Sequence, residues 1–233
     1  MPLPYLLHVN SRPQPDSGVD NKLWEKWYIT EHLPDLVNSG TTKRAAFYRE
    51  TFDFSLASKD RAVRSYLAIY QTEFEEPLAR DEYTKGVRHS SDLFPKDKET
   101  LANGDFDARN YKLIVDYDPK STGESAPPFL LTVEMEPVDE ADFEKWYSEE
   151  HLEMLSKLPG YRRSSRYTLG PKTPATLGEP GRFLAIHEVD DVKAAFDSKE
   201  AEAANTTPWT VKHINDAKIF IPRAWELLHT EGF

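Results

Sequence analysis

The chain carries two copies of an acid–histidine pair within an aromatic stretch. The copies read WYITEHL from Trp27 and WYSEEHL from Trp146, so that Glu31–His32 and Glu150–His151 correspond. Histidine has an ordinary pKa of about 6.5, which suits proton transfer near neutral pH. A neighbouring glutamate could orient and charge-stabilise the imidazole, or serve as the acid if burial raises its pKa. The pairs therefore indicate general acid–base chemistry.

An amphipathic helix is predicted to carry each pair. At 100° per residue, both glutamates fall on the apolar side of the helix, and each histidine lies one turn after Tyr28 or Tyr147. A buried carboxylate is costly unless it is paired or neutralised. The same stripe, with Trp24, Trp27 and Trp146, also fits a purely structural role, because aromatic residues at helical spacing usually form core. Duplication copies structural residues as readily as catalytic ones.

The helix belongs to a larger repeat. The two copies keep a constant offset of 119 residues (146 − 27 and 151 − 32). Four further pairs of segments match in the same order: PYLLHV with PFLLTV, RAAFYR with RSSRYT, SYLAIY with RFLAIH, and YKLIV with AKIFI. Matches in sequence order indicate a duplication.

Each unit is predicted to have the order strand, helix, strand, strand, helix, strand. This βαββαβ order is ferredoxin-like, so the expected fold class is α+β, with two tandem repeats forming a single-chain, pseudo-dimeric α+β barrel. The first repeat is expected over residues 1–118, with an insertion at about 88–106 that is a surface excursion or a lid. A linker rich in Pro, Ser and Gly follows over 119–128, and the second repeat spans 129–233. The weaker second helices are predicted over 77–86 and 192–204.

The predicted strands add candidate substrate-binding residues. Tyr48 and Tyr167 occupy equivalent positions in the two repeats and, with the helix tyrosines, could donate hydrogen bonds to a developing enolate. His8 is predicted to lie near Tyr70, and Thr132 near His187, because the first and third strands are neighbours in this fold. Polar residues on central strands are unusual since the middle of a sheet is normally apolar.

Composition excludes several classes of function. The chain has 29 basic and 40 acidic residues, a net charge of −11, which argues against nucleic acid and anionic membrane surfaces as partners. It has no cysteine, which excludes thiol nucleophiles and Cys-type metal sites. No nucleotide-binding glycine motif or close histidine spacing occurs, so neither cofactor nor metal is expected. The N-terminus does not read as a signal peptide, which predicts a cytoplasmic protein.

The helix motif resembles the EthD-like branch of the dimeric α+β barrel superfamily. The resemblance rests on Trp27–Arg49, which keeps a proline after the histidine, and more loosely on Trp146–Tyr167, where Glu153 replaces that proline. It implies a compact barrel with a pocket between sheet and helices, and it assigns the family's helix histidine to His32 and, by repeat, to His151. Members include cofactor-free cyclases, dehydratases and decarboxylases of polyketide-like aromatics, and quinone-forming monooxygenases.

The leading hypothesis is a cofactor-independent enzyme of secondary metabolism that performs lyase- or cyclase-type proton transfer on an apolar, polyketide-like or aromatic substrate. One alternative is a non-catalytic protein that binds a hydrophobic metabolite. Others are a cofactor-free monooxygenase and a purely structural duplication. The chain is expected to be a monomeric pseudo-dimer or a homodimer.

Overall fold

The barrel consists of eight strands. The computed structural model describes residues 2–52 and 63–233. The strands are β1 (Tyr5–Pro13), β2 (Arg44–Thr51), β3 (Tyr66–Thr72), β4 (Gly104–Tyr117), β5 (Phe129–Glu136), β6 (Tyr161–Lys172), β7 (Phe183–Val189) and β8 (Ile219–Glu231). They form a closed barrel in the order β1-β3-β2-β8-β5-β7-β6-β4.

Each half of the barrel has ferredoxin-like strand order. The first repeat contributes β4-β1-β3-β2 and the second contributes β8-β5-β7-β6, with every pair antiparallel. The halves join where β2 pairs with β8 and where β4 pairs with β6. The predicted fold of two fused βαββαβ repeats is therefore confirmed.

The helices cover the outside of the barrel. The first repeat has α1 (Asn21–Trp27), a π-helical segment (Tyr28–His32), α2 (Leu33–Asn38), a 3-10 turn (Pro77–Ala79), α3 (Asp81–Gly86) and α4 (Thr100–Asn103). The second has α5 (Glu140–Trp146), a π-helical segment (Tyr147–His151), α6 (Leu152–Leu155), α7 (Val192–Phe196), α8 (Lys199–Asn205) and α9 (Pro208–Asp216). No helix among the described residues has the length and apolarity needed to cross a bilayer.

One helix departs from the prediction. The sequence predicts a single helix over 192–204, whereas the structure has two short helices there and then α9. Thr207 caps α9 by accepting a hydrogen bond from the Thr210 amide, and Pro208 occupies the first turn. A threonine followed by proline is a good start signal for a helix.

Apolar side chains form two layers separated by the sheet. One layer fills the barrel interior and contains Leu6, Tyr48, Leu67, Tyr111, Leu130, Tyr167 and Trp225. The other lies between the sheet and the helices, with one cluster per repeat. Because successive residues of a strand point to opposite faces, the two layers take alternate residues of each strand.

The insertion in the first repeat packs onto the helix that carries His32. Ser90 and Glu99 form an isolated antiparallel bridge that closes the segment. Phe94 is fully buried and lies 6.5 Å from Trp24 and 5.3 Å from Trp27, measured between ring centroids. The insertion is thus anchored to the protein through an aromatic contact.

Replacing Phe94 with alanine should lower the free energy of unfolding by about 3–5 kcal/mol, because a buried aromatic ring is lost and a cavity is left. Urea denaturation would measure the change. Leu101→Ala is the control: its side chain is 78% exposed, so its effect should stay within about 0.5 kcal/mol. A loss in Phe94→Ala as small as that in Leu101→Ala would show that the insertion is not anchored through Phe94.

Candidate functional site

Both acid–histidine pairs lie in a π-helical turn. The turn is closed by a hydrogen bond from the Leu33 amide to the Tyr28 carbonyl and, in the second repeat, from Leu152 to Tyr147. A π turn is wider than an α turn and occurs frequently at functional sites. It brings residues five apart onto one face, which a 100° helical wheel does not.

The π turn stacks a tryptophan on each histidine. The rings of Trp27 and His32 have centroids 4.5 Å apart at an angle of 22°. In the second repeat the centroids of Trp146 and His151 are 4.3 Å apart at 27°. The tryptophan therefore holds the orientation of the imidazole in both copies.

The glutamates do not contact the histidines beside them. Glu31 lies 3.9 Å from the Arg88 guanidinium, and Glu150 accepts a hydrogen bond from Thr207 at 2.7 Å. Both side chains are partly exposed. The expectation that the glutamate orients the histidine is therefore not supported, because each carboxylate pairs with a neighbouring element instead.

An apolar cavity of about 80 Å³ lies against His32. Its wall includes Leu7, Val9, Leu36, Tyr70, Leu78, Tyr83, Leu101 and Phe106. At about 30 Å³ per water molecule, the cavity has room for two or three waters. A larger ligand requires side chains of the wall to move, and Leu101, which belongs to α4, is the one of them that is 78% exposed.

His32 is neutral at physiological pH. Burial lowers its pKa to about 3, although the Asp35 carboxylate acts in the opposite direction. Arg88 holds that carboxylate through hydrogen bonds of 2.7 and 3.0 Å. The Nδ1 atom of His32 is buried and has no hydrogen-bond partner among the described residues.

Tyr70 offers a hydroxyl group to the same cavity. Its ring is perpendicular to that of His32, with centroids 6.4 Å apart. Burial raises the pKa of Tyr70 well above its ordinary value, so the hydroxyl stays protonated. Within residues 2–52 and 63–233, the Tyr28 hydroxyl is close enough to act on Tyr70 as a weak acceptor, but no well-formed hydrogen bond reaches the Tyr70 hydroxyl. An imidazole and a phenol thus face one apolar space.

The other predicted aromatic residues of the first helix form core. Tyr28 donates a hydrogen bond to Ser11 at 3.2 Å and stacks on Phe47 with centroids 4.1 Å apart. Trp24 and Trp27 are buried and do not line the cavity. The expectation that these three residues contact substrate is not supported by their positions.

In the second repeat, α9 packs against the tryptophan and histidine of the motif. Trp146 lies between His151 and His213, whose ring centroid is 4.9 Å away, and donates a hydrogen bond to Thr210 at 3.0 Å. Both His213 and Thr210 belong to α9. Burial, followed by the charge of His187, lowers the pKa of His151 well below its ordinary value. Tyr147 packs under the Arg166 guanidinium at 3.9 Å.

The strand register corrects two predicted contacts. Leu7, not His8, lies opposite Tyr70, and Leu131, not Thr132, lies opposite His187. A shift of one residue moves a side chain to the other face of the sheet. His8 lines a cavity inside the barrel, and Tyr70 faces the helices.

Tyr48 and Tyr167 are also remote from the helix histidines. Both belong to the apolar cluster inside the barrel. His187 lies on the helix side, where its Nδ1 is 2.8 Å from the Ser164 hydroxyl. Of the predicted residues, His32 and Tyr70 line one cavity. Tyr83 and Leu101 line it as well but were not among the predicted site residues, because they lie on the weakly predicted second helix and on the insertion. No cluster of metal-binding side chains occurs among the described residues.

Comparisons with known proteins agree with this architecture. No protein-family model matches the chain. The chain is 24% identical over 203 residues to core atranone cluster (CAC) protein 1 of Stachybotrys chlorohalonatus, covering 82% of this chain and 83% of that protein.

Among solved structures, the chain is similar to an anthrone oxidase-like protein (TM-score 0.58, 13% identity, 97% of this chain and 92% of that one). It is also similar to a putative monooxygenase from Fusobacterium nucleatum (TM-score 0.51, 9% identity, 99% and 95%). The fold is the dimeric α+β barrel. At these identities the likeness shows the fold alone, and it confirms the fold expected from the helix motif.

Protonation of the buried histidines should destabilise the protein in acid. Burial lowers the pKa of His187 to about 4, below its ordinary value of 6.5. Between these values the unfolded chain binds a proton that the folded chain does not, so this contribution to stability is complete above pH 6.5 and is lost as the pH falls.

His187→Gln should therefore reduce the slope of unfolding free energy against pH in this window by about 1.4 kcal/mol per pH unit. Denaturant unfolding at a series of pH values would measure it. Ser164→Ala is the matched control, since it removes the same hydrogen bond but keeps the imidazole. If the unfolding free energy of His187→Gln changed with pH as steeply as that of the wild type, the lowered pKa of His187 would be contradicted.

Proposed function

We propose that the chain is an enzyme of secondary metabolism that transfers a proton on an apolar, aromatic carbonyl compound bound against His32. The observation that carries this proposal is that two polar groups without a well-formed hydrogen bond, the His32 Nδ1 atom and the Tyr70 hydroxyl, belong to residues that line one apolar cavity. Buried polar groups are normally hydrogen-bonded, so two such groups facing one space suit a polar ligand atom. The similarity to a protein of the core atranone cluster supports the role in secondary metabolism.

His32 would act as the base. Its neutral imidazole would accept a proton from a carbon atom that the substrate carbonyl acidifies, either directly or through a conjugated ring, and the electron pair would move to the carbonyl oxygen. The low pKa of the partly buried imidazole makes it a weak base in the absence of substrate. A negative charge developing beside it would raise that pKa, because an opposite charge favours the protonated form.

Tyr70 would stabilise the enolate. A donor placed where negative charge develops lowers the barrier most in a water-excluded site. The apolar walls of the cavity provide such a site. Dehydration, decarboxylation and cyclisation can all begin from the same enolate, so the geometry supports lyase- or cyclase-type chemistry without selecting one of them.

Anthrone is a suitable probe for proton transfer, because its methylene protons are acidified by the carbonyl across the ring system. Variants of His32 and His151 then separate the contributions of the two repeats. In D₂O without oxygen, the wild type should accelerate deuterium incorporation at this carbon above the buffer rate, followed by NMR. His32→Ala should lower the enzymatic rate about 100-fold or more. His151→Ala should stay close to the wild type.

Folding of both variants is checked by circular dichroism before the assay. Loss of exchange in His151→Ala alone would place the working site in the second repeat. Unchanged exchange in the double variant would overturn the mechanism. If anthrone binds the wild type and His32→Ala equally and no exchange occurs, the chain is a binding protein for hydrophobic metabolites.

Removal of the Tyr70 hydroxyl tests the second group. Tyr70→Phe should lower kcat for the exchange by about 100-fold and leave KM almost unchanged, because the hydrogen bond strengthens as charge develops. Tyr66→Phe is the matched control on the same strand, where the hydroxyl donates to Glu25 at 2.9 Å. A loss confined to KM would assign Tyr70 to substrate binding.

Cofactor-free oxygenation is the second candidate. It is favoured by the names of the two proteins whose structures resemble this chain, an anthrone oxidase-like protein and a putative monooxygenase. The same enolate would react with O₂, so that one anthrone and one O₂ yield one anthraquinone and one water. Oxygen uptake above the buffer rate supports this reaction, and exchange without uptake supports the lyase-type reaction.

A further inference from the structure

A second cavity of about 180 Å³ lies on the other face of the sheet, at one end of the barrel interior. Inward-facing residues of β1, β4, β5 and β8 line it, among them His8, Asn10, Arg109, Thr132, Arg223 and Trp225. It is larger than the cavity at His32, and most of the side chains that line it are polar or charged. The proposed proton transfer does not use it.

A chain of hydrogen bonds sets the tautomer of His8. The Arg223 guanidinium, which can only donate, contacts the side-chain oxygen of Asn10. The Asn10 amide nitrogen therefore faces His8 Nδ1, at 3.2 Å, and donates to it. With Nδ1 accepting, the proton of the neutral imidazole is on Nε2.

The Nε2–H group of His8 has no partner among the described residues. The atom is buried, and the whole residue is only 5% exposed. Burial, followed by the charges of Arg109 and Arg223, lowers the pKa of His8 to about 3. The two arginines thus create a positive potential at the imidazole, which favours an anion beside it.

Arg109 adds further N–H donors to the cavity, whereas the Thr132 hydroxyl is already used. Arg109 uses three N–H groups, two on Asp107 and one on Glu134, and a guanidinium has five. Thr132 already accepts from the Trp225 indole and donates to the Arg223 carbonyl. Arg109 also approaches the Tyr111 hydroxyl, which leaves at least one of its N–H groups free. A ligand group placed between this N–H and His8 Nε2 meets two donors and is therefore favoured if it accepts.

The size and walls of the cavity limit the rest of the ligand. A cavity of about 150 Å³ takes up a benzene molecule, so this one has room for a single ring with a small substituent. The Arg223 guanidinium stacks over the Trp225 ring at 4.2 Å, which forms a flat wall. Three arginines and two carboxylates line the space, which suits one negative charge better than two.

We propose that this interior cavity binds a small, single-ring carboxylic acid as its anion, with the carboxylate accepting hydrogen bonds from His8 Nε2 and Arg109. The carboxylate satisfies the unpartnered donor, and the ring packs in the space beside Trp225. This site is separate from the cavity at His32 and opens from the other face of the sheet.

Calorimetric titration with benzoate tests the site. The wild type should bind benzoate and should bind benzamide, its neutral isostere, more weakly. His8→Phe should weaken benzoate binding about tenfold or more, because it removes a buried hydrogen bond to a charged group. His8→Gln retains an N–H donor and should recover most of the affinity. His32→Phe, the matched control, should bind benzoate like the wild type while losing the proposed proton transfer.

Absence of benzoate binding to the wild type, or equal binding of benzoate and benzamide, would overturn the proposal. Equal affinity in the wild type and His8→Phe would do so as well. Arg109→Lys keeps the charge but loses the fork geometry, and should also weaken binding, which gives a second test if His8→Phe does not fold. A crystal with 4-bromobenzoate should show anomalous bromine scattering inside the barrel, and a signal at His32 instead would contradict the assignment.

Discussion

Closure of the sheet is the constraint on which the rest of this molecule depends. The pairing of β2 with β8 and of β4 with β6 turns two half-open ferredoxin-like sheets into one barrel. The closure removes the exposed edges that such sheets would otherwise carry. It also gives each strand an inner and an outer face with different chemistry. A shift of one residue in the strand register then moves a polar side chain from one cavity to the other.

The strand pattern and repeat could be predicted from the sequence because they rest on local periodicity. The register could not, because it depends on which residues of β1 and β3 face each other. Leu7 lies opposite Tyr70, so His8 points inward. The same limit applies to the helices. The π turn changes the angle between residues, and the apolar spacing of WYITEHL does not predict it, so a 100° wheel misses the stacking of His32 on Trp27, five residues earlier.

The two repeats diverge in the segments that pack against their shared helix. In the second repeat α9 places Thr210 and His213 against Trp146, and the aromatic cluster is closed. In the first repeat, the insertion covers Trp24 and Trp27 with Phe94 but leaves space beside His32. The Trp–His stack of the duplicated motif is therefore common to both halves, and the neighbouring segments differ. The sequence alone could show the motif but not which copy has room for a ligand.

Strand β1 lines both cavities with alternate residues. Leu7 and Val9 form part of the apolar wall beside His32, whereas His8 and Asn10 belong to the polar space inside the barrel. Hydrogen bonds from the strand to β3 and β4 hold its backbone between them. A ligand with both an aromatic system and a carboxylate cannot reach both spaces, because the sheet separates them. The two cavities are therefore separate spaces, each lined by its own face of one strand.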